Sequence, residues 1–306
     1  MATLKVAPPY PDRIVSVDDW AYHRAMVDAP ATPVLFDRAL LRARRARADK
    51  LGAATFLLDH AASDAAERLA AVNRAFTSGI DLATPGAALR DALDKQGIAL
   101  RPVAIADADN DPLGLAPDSI DLAVSLLALQ FVNDLPGVLA QVRRALRPDG
   151  LLLAAMVGGD TLTELRQAFA AAEAEVEGGA SPHVSPFADL RDAGGLLQRA
   201  GFALPVTDVE RLSVRYDNAF ALMQDLRRMG ATNVLVERRK LPSRRATLLR
   251  MAQIYGERFS DADGRIRATF DLVWLLGWAP HESQPKPLRP GSAKFSLEDA
   301  VKRRKP

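Results

Sequence analysis

Ile80-Asp81-Leu82-Ala83-Thr84-Pro85-Gly86 is the stretch on which the fold of this chain turns. An apolar strand ends at Leu82, and a helix runs on from Gly86. In an open α/β sheet, such a junction points the first N–H groups of a helix outward, toward a phosphate or a cofactor. A loop of that kind needs bare backbone. Here Ala83 and Pro85 carry side chains, which obstruct close approach and disfavour positive φ. The strand-to-helix frame of a cofactor site is present, with one glycine in its turn.

Working outward, strands and helices alternate. The helix from Gly86 stops at Gly97, and apolar residues from Leu100 to Ile105 predict a second strand closing on Asp107. Ile120, Leu122 and Val124 leave no polar face, as in a strand buried on both sides. Asn133 or Asp134 can cap the next helix, which has Pro136 in its first turn and Val138, Leu139, Val142 and Leu146 on one side. Arg147-Pro148-Asp149-Gly150 ends it, and residues 151–157 read as a fourth buried strand. This order predicts a doubly wound, mostly parallel sheet with helices on both faces. Ligands in such sheets sit at the carboxyl ends of the strands, which nominates Asp81 to Gly86, Asp107 and Ser125 to Gln130 as the rim.

Beyond Gly201, Leu212, Val214 and Tyr216 alternate as an edge-like strand, and Phe270, Leu272, Trp274, Leu276 and Trp278 alternate as a longer one. Two helical segments lie between them, read as a lobe inserted at 217–266 on a closing antiparallel pair. The remaining core then spans 36–216 and 267–306. Residues 1–35, with five prolines, read as an N-terminal arm.

The 306 residues are 48% apolar and 25% charged, an ordinary globular balance. Lys and Arg total 40 against 38 Asp and Glu, so overall charge gives no reason to expect nucleic acid. The absence of cysteine excludes disulfides, thiolate metal sites and a Cys nucleophile. No run approaches the roughly 18 apolar residues needed to cross a bilayer, and the first residues suit no leader peptide, so a cytoplasmic, non-integral protein is expected. Arg38, Arg42, Arg44, Arg45, Arg47 and Lys50 crowd one helical segment. That cluster is a solvated face, or a clamp for an acidic partner or an anionic membrane surface.

Candidate site residues each carry two readings. Asp81 accepts a hydrogen bond from a ligand amine, or caps the following helix. Asp107 receives a ligand's amino group, or belongs to a solvated acidic turn. The carboxylates at 107–111 lack the spacing of a calcium loop, and the four histidines show no metal-ligand spacing, so no metal is expected. His183 and His281 are general acids or bases if they face the cleft, and polar loop residues otherwise. Gly159, Asp160 and Thr161, after a strand, form a substrate-side turn or cap the next helix.

Residues 118–125, 131–136 and 146–150 resemble the back half of a class I S-adenosylmethionine-dependent methyltransferase. Gly158-Gly159-Asp160-Thr161-Leu162-Thr163-Glu164-Leu165-Arg166, the Gly-Gly-Ala-Ser-Pro-His-Val-Ser-Pro run at 178–186, and Gly277-Trp278-Ala279-Pro280-His281-Glu282-Ser283-Gln284 narrow the likeness. They are similar to the methyltransferase-like assembly factors of respiratory complex I and their bacterial relatives. The resemblance covers about 35–301, including Met229-Gly230-Ala231-Thr232-Asn233 and Arg289-Pro290-Gly291-Ser292-Ala293.

It implies a Rossmann-like methyltransferase fold and S-adenosylmethionine at Asp81, Gly86, Asp107 and Ser125. Gly159, Asp160, Thr161, His183 and His281 would face a substrate or a partner such as a complex I subunit. In the mitochondrial members the associated chemistry is hydroxylation of an arginine, and biotin-pathway methyltransferases of acyl-carrier substrates also look similar. A catalytically inactive binding or assembly factor is the alternative.

Two departures stand out. The family's Asp-Leu-Gly-Cys-Gly-X-Gly loop is here Asp81-Leu82-Ala83-Thr84-Pro85-Gly86-Ala87, with all three glycines replaced. The span from Asp81 to Asp121 is short by about 20 residues, roughly one strand and one helix, so the first half is shortened. Gln130 stands where the family commonly has His, and an amide cannot titrate.

Overall fold

The computed structural model describes residues 34–106 and 112–285, and all of them belong to one compact unit. The elements, in chain order, begin with α1 (Arg38–Leu51), α2 (Phe56–Ala70), β1 (Gly79–Leu82), α3 (Ala88–Asp94) and β2 (Leu100–Val103). There follow β3 (Ile120–Leu126), a short 3₁₀ turn (Leu129–Phe131), α4 (Leu135–Ala145), β4 (Leu146–Gly158), α5 (Thr163–Glu177) and α6 (Leu190–Arg199). Last come β5 (Ala203–Tyr216), α7 (Ala219–Arg228), α8 (Arg245–Phe259) and β6 (Ile266–Trp278).

The six strands form one sheet in the order β2-β1-β3-β4-β6-β5. β1 to β4 run parallel, while β6 is antiparallel to both β4 and β5. This is the class I methyltransferase arrangement, mostly parallel with an antiparallel closing pair, and it is short at the β2 edge. β2 sits directly beside β1, and among the described residues no strand lies outside it. The chain steps from β2 back across β1 to β3, which places the topological switch point between β1 and β3.

Alternation along each strand sends side chains to two cores. Leu122, Val124, Leu126, Leu151, Leu153 and Ala155 pack with α2, α3, α5, α7 and α8 on one face. Ile80, Leu82, Ala123, Leu152, Ala154 and Met156 pack with α4 and α6 on the other. Each fully buried Leu or Val contributes on the order of 2 kcal/mol, so a two-faced sheet is favoured over an exposed one.

Caps explain several boundaries. Asp134, not Asn133, caps α4, accepting from Gly137 N at 2.9 Å. Asn133 instead accepts from Leu35 N and Phe36 N, at 2.9 and 2.8 Å, and draws the start of α1 onto the sheet rim. Phe36 pairs in a β-bridge with Leu235, fastening α1 to the segment after α7.

Candidate functional site

The β1 loop is closed by the chain's own groups. Asp81 is buried, and both of its oxygens are engaged. Oδ1 accepts from Thr84 N at 3.2 Å, and Oδ2 pairs with the Arg90 guanidinium. The same guanidinium donates to Gly86 O at 2.8 Å. Thr84 Oγ1 accepts from Leu126 N at 2.9 Å, locking the loop to the end of β3. Asp81 therefore does not cap α3, whose N-cap is Ala87 and has no side-chain bond. Ala83 takes φ 58°, the left-handed conformation that the missing glycine would have adopted more easily. Ser125 is fully buried and donates to Leu82 O at 2.7 Å, so its hydroxyl is used within the sheet.

At the end of β4 the turn is also held from inside. Thr161 Oγ1 donates to Gly158 O at 2.7 Å and accepts from Asp271 N at 2.8 Å. Asp271, buried on β6, accepts from Asp160 N at 2.9 Å and pairs with Arg211 at 2.8 Å. Arg211 also reaches the exposed Asp160 carboxylate at 2.6 Å. Gly159 has φ 55°, and a Cβ there would come within 2.6 Å of Asp271, so this position requires glycine. Neither Asp160 nor Thr161 caps α5; its N-cap is Leu162, in the left-handed region.

Between these two turns opens a cavity of about 950 Å³. Pro85 and Gly86 of the β1 loop, Gln130, Thr161 and residues of α1, α5 and α7 line it. His183 lies on its wall, stacked on Phe169 with ring centroids 3.8 Å apart. Its Nε2 is 2.7 Å from Glu173 Oε1, and Ser181 N and Oγ also donate to Glu173. Burial pushes the Glu173 carboxyl up, but the hydrogen bonds from His183 and Ser181 outweigh it and hold the group below the usual carboxylate range. An ionised carboxylate only accepts, so Nε2–H of His183 donates and Nδ1 is left as the available nitrogen. Arg45 of α1 enters the same lining, with its guanidinium 5.8 Å from the Phe131 ring centroid.

Comparison with known proteins identifies the chain at this point. The family described as "Methyltransferase domain" matches residues 61–154. The human protein "Arginine-hydroxylase NDUFAF5, mitochondrial" is 37% identical over 295 residues, 90% of this chain and 85% of that one. The chain belongs to the NDUFAF5 family. The Dictyostelium discoideum NDUFAF5 is 47% identical over 182 residues, 59% of this chain and 42% of that protein. A malonyl-[acyl-carrier protein] O-methyltransferase of Laribacter hongkongensis is 43% identical over 180 residues, 59% of this chain and 58% of that enzyme.

Within this NDUFAF5 relative the sequence-nominated residues scatter. Gly86, Thr161 and His183 meet in the cavity lining; Asp81, Ser125, Gly159 and Asp160 are outside that lining. His281 follows β6, whose Trp278 pairs with Leu151 in the first half of β4. It therefore sits at the amino ends of the parallel strands, away from the rim, where its Nδ1 is 2.7 Å from Ser283 Oγ. Asp107 lies outside the described residues.

Five residues with contacts in or near the site lie outside what the sequence pattern nominates. Arg90 follows Asp81 by nine positions, and nothing in that spacing shows the contact. Arg211 and Asp271 meet only because β5 pairs with β6. Glu173 left a signal: it falls on the apolar stripe of Leu165 and Phe169 at four-residue steps, and a carboxylate on such a stripe needs a buried partner. The basic helix also has a neighbour that sequence does not show: burial lowers the pKa of Arg44, and nearby Arg238 and Arg47 lower it further. Among the described residues, no helix is long and apolar enough to cross a membrane, and no group of His, Asp and Glu could hold a metal ion.

Proposed function

We propose that this NDUFAF5-family protein acts as a methyltransferase-fold binding and assembly factor for a protein partner of the respiratory complex I kind, without seating S-adenosylmethionine in the β1 loop. One observation carries this reading. The Arg90 guanidinium occupies Asp81 and Gly86 O, the groups that would receive the cofactor's charged end. A tethered cation competes with a free ammonium at high effective concentration, and Ala83 and Pro85 keep the backbone from close approach. The residues present do not fit the cofactor.

Charge argues in the same direction against an arginine substrate within the cavity. Its charged lining is Arg44, Arg45, Arg227, Arg228 and Asp49, a balance that repels an incoming guanidinium. The exposed side of α1, with Arg47 and Lys50, suits an acidic partner surface, and binding there should weaken with salt. A cytoplasmic location belongs to the same proposal, although the relatives' printed names place those proteins in mitochondria.

Calorimetric titration with S-adenosylmethionine and its demethylated product tests the reading. No binding is expected at millimolar ligand, and micromolar binding would overturn it. The second reading, an active S-adenosylmethionine-dependent enzyme, is favoured by the His183–Glu173 pair on the cavity wall and by the O-methyltransferase relative. Incubation with a complex I subunit and mass spectrometry for an added methyl or oxygen decides between them; an unmodified subunit that is nevertheless captured supports the assembly reading.

A further inference from the structure

The cavity combines two features that a partner-binding role does not use. Its inner wall is apolar and buried: Leu57, Leu162, Leu165, Phe169 and Phe270 are each at most 7% exposed. Three of its polar lining residues, Arg45, Thr232 and Gln130, lie on segments that adjoin one another. A Cβ at Gly230 would lie 3.1 Å from Arg45 Cα, so α1 is seated directly against the 230–233 segment at Arg45. Thr232 is in that segment, while Gln130 adjoins Phe131, the ring over which Arg45 lies.

All three are short of partners. No ion pair among the described residues reaches Arg45, and burial, with Arg38 adding, lowers its pKa against the opposing pull of Asp49. Thr232 Oγ1 and Gln130 Oε1 are buried atoms with no hydrogen-bond partner. Buried polar atoms left unsatisfied are uncommon and costly, and a cation half removed from water without a counter-charge is costlier. Nearby, Arg227 stands exposed in the lining, and among the described residues Asp49 is the one carboxylate there.

We propose that this cavity is a binding site for an anionic amphiphile: an acyl chain along the apolar wall, with its carboxylate or phosphate head at Arg45 and Thr232. The volume is that of an ordinary small-molecule pocket, and the arrangement of apolar wall with a few convergent polar groups is what such pockets present. Arg45 supplies the charge and two N–H donors for an anionic head, and the Thr232 hydroxyl supplies a third. Gln130 Oε1, an acceptor, suits a head that keeps one hydroxyl or proton. The proposed head position at Arg45 and Thr232 uses none of the Asp81, Thr84 and Arg90 contacts that close the β1 loop, although Pro85 and Gly86 of that loop line the same cavity.

The experiment is a headgroup series on the intact protein below micellar concentrations. Dodecanoate, dodecyl phosphate, dodecanol and dodecyltrimethylammonium are titrated by calorimetry, alongside native mass spectrometry of the protein as purified. One-to-one binding of the acid and the phosphate is expected, at least tenfold tighter than the alcohol, with the cationic amphiphile weakest. A preference for dodecanoate points to a free fatty acid as the source, and a preference for the phosphate points to a lysophospholipid. Arg45→Gln should erase the tenfold preference while leaving the alcohol unchanged, and Arg45→Lys should retain it. Leu165→Trp, which fills the apolar end, should weaken every member alike. Equal affinity for acid and alcohol, no binding of either, or a preference that survives Arg45→Gln overturns the proposal. The wild-type series decides by itself if Arg45→Gln does not fold.

Discussion

The β1 loop and the cavity beside it share one rim of the sheet but differ in what satisfies their polar groups. In the loop, Asp81, Thr84 and the Gly86 carbonyl all find partners within the chain, and the Arg90 guanidinium closes the set. In the cavity, Thr232 Oγ1 and Gln130 Oε1 have no hydrogen-bond partner, Arg45 has no ion pair among the described residues, and His183 stands beside a buried carboxylate. Self-satisfaction marks a place where ligand chemistry has been replaced by structure. Unmet polar groups in a concave, apolar setting mark a place still built to receive something. Under the proposals made above, the family's cofactor position is the first kind and the neighbouring cleft the second.

The largest test breaks the loop's closure. Arg90→Ala leaves the buried Asp81 carboxylate without its counter-charge and should cost about 3 kcal/mol in urea unfolding. A cost below about 1 kcal/mol would mean that the loop is not latched by this pair. Asp81→Asn combined with Arg90→Ala should recover part of the loss, because the double variant buries no unpaired charge.

Next in size is the β4 turn. Thr161→Ala removes a buried hydroxyl that both donates and accepts, and should cost about 2 kcal/mol. Thr161→Ser should stay near wild type. If instead the alanine variant unfolds normally but loses partner or substrate binding, Thr161 belongs to the receiving region rather than to the structural one.

A pH test probes the β4 turn without a ligand. The Arg211 guanidinium above all, with the Asp160 N–H helping, holds the Asp271 carboxyl below its usual range against the opposing effect of burial. The folded pKa is lower than the unfolded one, so the unfolded state binds more protons as acid is added. This stabilisation is complete above the unfolded value near 4 and is lost as pH falls through the folded value. Urea midpoints should therefore drop from about pH 5 to about pH 3 in the wild type. Asp271→Asn should start lower and fall less over that window.

The smallest effect runs the other way. Ala83→Gly restores the one residue for which φ 58° is unstrained and should stabilise the protein by about 1 kcal/mol. It should not create cofactor binding, because Arg90 and Pro85 remain. Cofactor binding by this single variant would show that the strained alanine, rather than the guanidinium, closes the site.

Much of the fold was legible from periodicity. The apolar runs at 120–126 and 151–157 leave no polar face, and only a sheet covered on both sides can bury them. Alternation at 212–216 and 270–278 located the closing pair. Chain direction decided more than alternation could: β6 runs antiparallel to β4, so its end carries His281 to the far edge of the sheet, although the residue follows two tryptophans in sequence. The basic helix was visible as composition, but not its division into Arg44 and Arg45 turned inward and Arg47 and Lys50 turned outward. That division depends on where Gly230 and Phe131 pack against it.

Strand boundaries were not settled by sequence, since β4 and β5 start at Leu146 and Ala203 rather than near 151 and 212. What the amino-acid order settles by itself is local: that buried strands run through 120–124 and 151–157, and that Ala83 and Pro85 carry side chains in the loop after Leu82. Each is a property of neighbours along the chain, governed by steric limits on φ and by the two periods of side-chain placement. Tertiary structure alone decided which charges meet. Arg90 met Asp81, Glu173 met His183, and Arg45 formed no ion pair among the described residues, because Coulomb energy and desolvation depend on distance and burial in space, which sequence separation does not measure.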